Sequence, residues 1–145
     1  MNKDKNSNGA GGSINDCVFC KIADKKIPSN LVFEDEHSMA FLDINPVQMG
    51  HTLIIPKNHH PQMTDVPEDL LARLFRTAKM IMPRLKKAMG SDFVVLTIVG
   101  TDIDHFHIHL IPRFKNDGIP TFPPTKKYGS TEEMKTVEEK IRKEL

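Results

Sequence analysis

Asp104-His105-Phe106-His107-Ile108-His109-Leu110-Ile111-Pro112 is the stretch that decides the fold. Side chains on an extended strand alternate between faces, so His105, His107 and His109 are expected on one side and Phe106, Ile108 and Leu110 on the other. The apolar set then meets a core, and three imidazoles share one space near their working pKa at neutral pH. Three chemistries suit such a cluster: a metal site, a proton relay, or a nucleophilic histidine with supporting neighbours. Three residues at two-residue steps spread over about 13 Å, so at most one or two of these rings can grip the same ion. A neutral imidazole nitrogen can attack phosphorus and leave again when water arrives. His107, the central residue, is the natural nucleophile, with His105 and His109 set to polarise phosphate oxygens or pass a proton. The plainer alternative is a histidine-rich solvent face.

Outward from this stretch the chain reads as an α+β domain. Phe93 to Val99 and Ile103 to Phe114 are strand-like runs separated by Gly100-Thr101-Asp102. Upstream, Leu31 to Glu34 and Ser38 to Leu42 flank the turn Asp35-Glu36-His37 in the manner of a hairpin, and Thr52 to Pro56 is a third strand. Between Pro67 and Gly90, Leu70, Leu71, Leu74, Phe75, Ala78, Ile81, Met82, Leu85 and Met89 recur at helical steps. Pro67 suits the first turn and Gly90 the exit, while Pro83 is expected to kink the helix. Residues 115–145 hold a Pro-rich stretch and then a second helix, in which Ser130 and Glu133 have capping-box spacing and Glu138 stands four residues before Arg142. Residues 1–15, without periodicity or apolar content, read as a disordered arm. The domain proper is then 16–114.

Composition narrows the function classes. The 145 residues carry 20 basic against 19 acidic side chains, a formal charge of +1 that offers no broad field for a nucleic-acid backbone. The longest nearly apolar run, Phe93 to Val99, is far shorter than the about 20 residues of a spanning helix, so no membrane segment is expected. No hydrophobic stretch stands at the start for an export machinery to read, which points to a cytoplasmic protein. Cys17 and Cys20, the only two cysteines, have a spacing that suits metal chelation or redox cycling better than a disulfide framework. Two thiols do not close a tetrahedral zinc site, so two further ligands would have to come from the seven histidines.

His105-Phe106-His107-Ile108-His109-Leu110 with the following Ile-Pro-Arg resembles the mark of the histidine triad (HIT) superfamily, zinc-containing branch. Cys-Val-Phe-Cys-Lys-Ile at 17–22, Ile-Pro-Ser at 27–29, Phe-Glu-Asp-Glu at 33–36, Ala-Phe-Leu-Asp-Ile at 40–44 and Gly-His-Thr-Leu-Ile-Ile-Pro-Lys at 50–57 look like family blocks in the usual order. The resemblance spans 17–114. It implies a HIT-like α+β fold, an antiparallel sheet with one long central helix and a C-terminal helix, usually a homodimer. It also implies a hydrolase or transferase that cleaves nucleotides at the α-phosphate of a nucleoside phosphoramidate or dinucleoside polyphosphate, through a covalent nucleotidyl adduct on His107. By position His105 and His109 support the triad, Asp43 receives the ribose hydroxyls, and Phe19, Ile22, Ile27, Phe41 and Ile44 wall the base, although these apolar residues equally read as core. A structural zinc on Cys17, Cys20, His59 and His105 is implied, with His60 the competitor of His59 and two free buried thiols the alternative. His51 reads as a proton-transfer aid or a structural hydrogen-bond partner, and His37 as a solvated turn residue.

The chain departs from the family pattern just before the triad. Thr101 replaces a glutamine and Asp102 a hydroxyl residue, and Phe93 to Val99 contains no asparagine. An aspartate beside a nucleotide phosphate repels it unless it points away or meets a cation, whereas the Thr101 hydroxyl still suits phosphate binding. The alternative function is therefore a nucleotide-binding regulatory module with weak catalysis. A zinc-stabilised interaction protein is a third. Removal of residues 115–145, a region that in related proteins shapes the neighbouring subunit's site, is expected to alter substrate preference.

Overall fold

A computed structural model describes residues 14–145, so the expected arm lies outside the described residues except for its last two positions, Ile14 and Asn15, which form a 3-10 turn with Asp16. The described residues up to Lys115 and those from Asn116 onward form two compact units. In chain order the first holds α1 (Val18–Ala23), β1 (Leu31–Glu34), β2 (Ser38–Leu42), β3 (Thr52–Pro56), α2 (Glu68–Met89), β4 (Phe93–Thr97) and β5 (Ile108–Arg113). The five strands make one sheet in the order β1-β2-β3-β5-β4, every neighbouring pair antiparallel. The fold class is the α+β one expected.

Why β3 sits at the centre follows from its sequence. Thr-Leu-Ile-Ile-Pro has no polar alternation, and all five residues are buried because both faces of the sheet are covered there. Ile54 joins Ala40, Phe106, Ile108 and Leu110 under Leu74, Ala78 and Ile81 of α2. Leu53 and Ile55 turn the other way, with Met39 and Phe41, onto Phe19 and Ile22 of α1. The short α1 carries no periodic signal in the sequence, since six residues are too few to show a stripe. The long α2 runs unbroken through Pro83. Acidic Glu68 and Asp69 stand in its first turn and Lys86 and Lys87 in its last, in the sense the helix dipole favours. Gly90 ends it in the left-handed conformation, its N–H donating to the Lys86 and Lys87 carbonyls.

The decisive strand is shorter than its alternation predicts. Pairing with β3 stops at Ile54 opposite Ile108. Two residues further along β3, Pro56 has no N–H to donate and its carbonyl accepts from the His105 ring at 2.9 Å, while the Phe106 N–H donates to the His60 carbonyl at 2.6 Å. His105 thus ends the bend and His107 lies in irregular chain just before β5, and only His109 lies within the ladder. The alternation of faces survives, since Phe106, Ile108 and Leu110 stay in the α2 core. β4 likewise ends at Thr97 rather than Val99.

One glycine fixes the approach to the site. Gly50 has φ +88°, and a Cβ there would stand 2.8 Å from Met89 Cγ and 3.2 Å from the Pro112 ring. The methionine end can swing away, but the positive φ and the ring cannot be relieved that way. Gly50→Ala is expected to destabilise by about 1–3 kcal/mol, read as a lower urea midpoint at unchanged slope.

The second unit contains the prolines Pro120, Pro123 and Pro124 in irregular chain and the helix α3 (Thr131–Glu144). Ser130 Oγ accepts the Glu133 N–H at 3.1 Å, and the Glu133 carboxylate reaches back to the Gly129 N–H. Arg142 pairs with Glu138 at 3.1 Å. Among the described residues no helix is long and apolar enough to cross a membrane.

Candidate active site

Four elements meet on the α1 side of the sheet around a cavity of about 420 Å3. Phe19 and Ile22 enter from α1, Phe41 from β2, Leu53 from β3, and the segment after β2 brings Asp43 and Ile44. The chain entering β5 supplies His107, β5 itself supplies His109, and the bend before them supplies Asp102 and Ile103. Two residues expected at the cavity stand elsewhere. Ile27 packs behind the wall against the second core cluster, because the turn after α1 folds it back on Lys21, and Thr101 is exposed in the bend outside the lining. Ile44 does line the cavity but is 87% exposed, whereas Phe19, Ile22 and Phe41 are buried and serve core and wall at once. A histidine-rich solvent face is excluded by the burial of His105 and His107.

Hydrogen-bond partners assign the histidine tautomers, since a carbonyl can only accept. His107 Nδ1–H donates to the His105 carbonyl at 2.7 Å, which leaves the Nε2 lone pair free on the cavity side, 3.7 Å from an Asp102 oxygen. Its ring is held edge-on by Phe19 at 5.1 Å between centroids and by His109 at 4.8 Å. A second chain of bonds begins at the Val47 N–H, which donates to His51 Nδ1 at 3.2 Å. His51 must then carry its proton on Nε2, which donates to His109 Nδ1 at 2.9 Å. That in turn places the remaining proton on His109 Nε2, a buried atom with no partner. An unsatisfied buried N–H in a cavity wall is a donor waiting for an acceptor. His51 is therefore a hydrogen-bonded partner of the triad, one of the two roles the sequence leaves open.

Asp43 does two things. One oxygen accepts the Asn45 N–H at 2.8 Å and shapes the turn, and the other stands 3.8 Å from His51 Nε2. Burial pushes His109 down to about 4, helped by the neighbouring His107, and also lowers His51 despite Asp43. Both rings stay neutral when folded and charge when unfolded, so the unfolded chain binds more protons between their depressed values and the ordinary 6.5. Their contribution to stability is complete above pH 6.5 and is expected to fall away as pH drops toward about 4. Urea midpoints across that range check this, and His109→Gln should flatten the slope.

The thiols and two further imidazoles gather at the back of α1. One donor atom each from Cys17, Cys20, His59 and His105 lie within 4.8 Å of one another. Cys17 Sγ stands 3.4 Å and Cys20 Sγ 3.5 Å from His105 Nδ1, and Cys20 Sγ 3.3 Å from His59 Nδ1. Tetrahedral zinc with S and N ligands at its usual bond lengths separates its donors by about 3.5 Å, so the set fits that ion. His105 Nε2–H is occupied by the Pro56 carbonyl, which turns the Nδ1 lone pair toward the thiols. The Cys20 thiol is pushed up to about 11, first by burial and then by Cys17, so it ionises only with a cation beside it. Of the two candidates after the Ile-Pro-Lys run, His59 faces this cluster, while His60 contributes its carbonyl to Phe106.

Comparison with known proteins finds relatives of the same fold. A solved protein of Streptococcus mutans UA159 superposes with a TM-score of 0.82 at 35% identity, covering 95% of this chain and 90% of that one. A Zn-bound histidine triad family protein from Mycobacterium smegmatis superposes at 0.70 and 25% identity, covering 92% and 100%. An adenosine 5'-monophosphoramidase of Saccharomyces cerevisiae is 44% identical over 102 residues, 67% of this chain and 62% of that protein. The HIT domain family model matches residues 24–116, and the chain is a member of the HIT domain family.

Proposed function

We propose that the protein is a nucleotide hydrolase or transferase that cleaves at the α-phosphate of a nucleoside phosphoramidate or dinucleoside polyphosphate, with His107 as the nucleophile. The observation that carries this is the pairing of a bare His107 Nε2 with the unpartnered His109 Nε2–H on one cavity wall. A nucleophile locked in its reactive tautomer needs no proton removed before attack, and a buried donor at its side suits a phosphoryl oxygen that gains charge in the transition state. Nε2 forms a bond to phosphorus as the leaving group departs with its electron pair and takes up a proton. Water then attacks phosphorus, the N–P bond breaks, and the nucleoside monophosphate is released. The Asp43 oxygen not engaged by Asn45 suits the ribose hydroxyls, and Phe19, Ile22 and Phe41 suit the flat apolar faces of a base. His105 takes no part at phosphorus, since its ring is committed to Pro56 and the thiols and only its carbonyl reaches His107.

A structural zinc on Cys17, Cys20, His59 and His105 belongs to the same reading. The ion supplies there a cross-link between α1 and the chain leading into β5. The reading also includes a homodimer and a cytoplasmic setting, as the family resemblance implies. Its direct test is intact-mass analysis of protein quenched during turnover of adenosine phosphoramidate. A gain of one adenylyl group in the native protein, absent from His107→Ala, is expected. Turnover without any adduct, undiminished in His107→Ala, would overturn it. The binding-module alternative predicts nucleotide affinity with neither turnover nor adduct.

A further inference from the structure

The carboxylates that line the cavity, those of Asp43 and Asp102, face no opposing Lys or Arg among the described residues. Asp43 is taken up by the Asn45 N–H and faces His51. Asp102 is different: it is exposed, it lies 3.7 Å from His107 Nε2, and no Lys or Arg among the described residues pairs with it. Its bend is held in place, because the Gln62 side-chain amide donates to the Gly100 carbonyl at 3.4 Å and Gly100 takes a φ of +71°. On the far side of the bend a depression is lined by Asp16, Asp102 and Asp104 together with His59, again with no Lys or Arg among the described residues. A phosphorus atom in position for attack sits about 3–3.5 Å from Nε2, with the leaving group in line on its far side, so the Asp102 carboxylate acts on that group through the field it sets up in the cavity and not by contact.

Resting on the proposed reading of His107, we infer that Asp102 is a specificity-determining residue that sorts substrates by the charge of the leaving group. An amine leaving group is neutral or cationic as it departs and gains from a nearby carboxylate. A nucleoside polyphosphate leaving group carries several negative charges into the same space, where no Lys or Arg among the described residues lines the cavity to balance them. The favoured class is therefore nucleoside phosphoramidates. The dinucleoside polyphosphates are disfavoured by Asp102 itself rather than by the shape of the cavity. The effect is electrostatic and partly exposed, so added salt weakens it.

The test compares kcat/KM for adenosine phosphoramidate and for diadenosine tetraphosphate in the native protein, Asp102→Asn and Asp102→Ser. Native protein is expected to prefer the phosphoramidate, and both variants to shift the ratio toward the tetraphosphate by about tenfold or more. Isothermal calorimetry with AMP and ATP supplies a second readout that needs no catalysis: Asp102→Asn should tighten ATP relative to AMP by a similar factor, less so at high salt. A ratio that moves less than twofold in both assays overturns the inference. If no protein turns over either substrate while ATP still tightens in the variants, the catalytic reading fails and the charge filter stands. Circular dichroism confirms that the variants fold, as expected for an exposed side chain in a bend.

Discussion

His107→Ala is expected to lower turnover by about a thousandfold or more while leaving the protein folded and able to bind nucleotide. The ring is buried, and its Nδ1–H bond to the His105 carbonyl is lost in the variant, so some stability goes with it, about 1–3 kcal/mol. That loss is small beside the core formed by Ile54, Leu74, Ile108 and their neighbours, which does not involve His107. The wall residues Phe19 and Phe41 still touch each other edge-on at 5.6 Å, so the base end of the cavity remains. The expected pattern is therefore a collapse of kcat with AMP affinity changed only a few-fold. His107→Gly adds a sharper check, because free imidazole admitted to the vacated space should restore part of the turnover only if an imidazole nitrogen performs the attack. A proportional loss of affinity and activity, with no rescue, would mean that His107 merely supports the wall.

Much of this arrangement was legible in the chain because the relevant signals are local. The hairpin of β1 and β2 turns on Asp35, whose carboxylate accepts the N–H groups of His37 and Ser38, chemistry that a short polar residue announces in any sequence. The stripe of α2 and the alternation of Phe106, Ile108 and Leu110 are periodic, and a core reads periodicity directly. What escaped was decided by partners far away in sequence. The length of β5 depends on Pro56 and His60, some fifty residues earlier, which claim the His105 ring and the Phe106 N–H. The role of His51 depends on Val47 on one side of its ring and His109 on the other, a relay visible only when both distances are known. Ile27 and Thr101 sit in the right blocks of sequence and still miss the cavity, since a block fixes the path of the chain and not the direction of each side chain. Asp102 illustrates the converse. Its sequence position raised the question of repulsion, and only its approach to His107 Nε2 turns that question into a statement about substrates.

Removal of the proposed zinc, or Cys20→Ser, is expected to produce the largest loss of stability of any change considered. The four donors come from three places: Cys17 and Cys20 at the start of α1, His59 after β3, and His105 before β5. A helix of six residues does not hold together alone, and α1 keeps its place through Phe19, Ile22 and whatever ties its thiols to the two histidines. Structural zinc in small domains contributes roughly 10–16 kcal/mol to folding where nothing else does. Here the sheet and α2 form a core without it, so a fraction of that value, several kcal/mol, is expected as a lower melting temperature on chelation. The consequence reaches the chemistry through one residue. His105 offers its Nδ1 to the thiol cluster, its Nε2–H to the Pro56 carbonyl and its own carbonyl to His107 Nδ1–H, so releasing the ring loosens the bond that sets the nucleophile's tautomer. Chelation should therefore lower kcat at temperatures where the protein is still folded, and weaken AMP binding as the Phe19 wall moves. One zinc per chain by atomic absorption, a falling melting temperature with chelator, and parallel losses in Cys20→Ser are the expected results. An unchanged melting temperature with less than a tenth of an equivalent of zinc would instead mean that Cys17 and Cys20 are two half-buried free thiols, and that α1 is held by its apolar face alone.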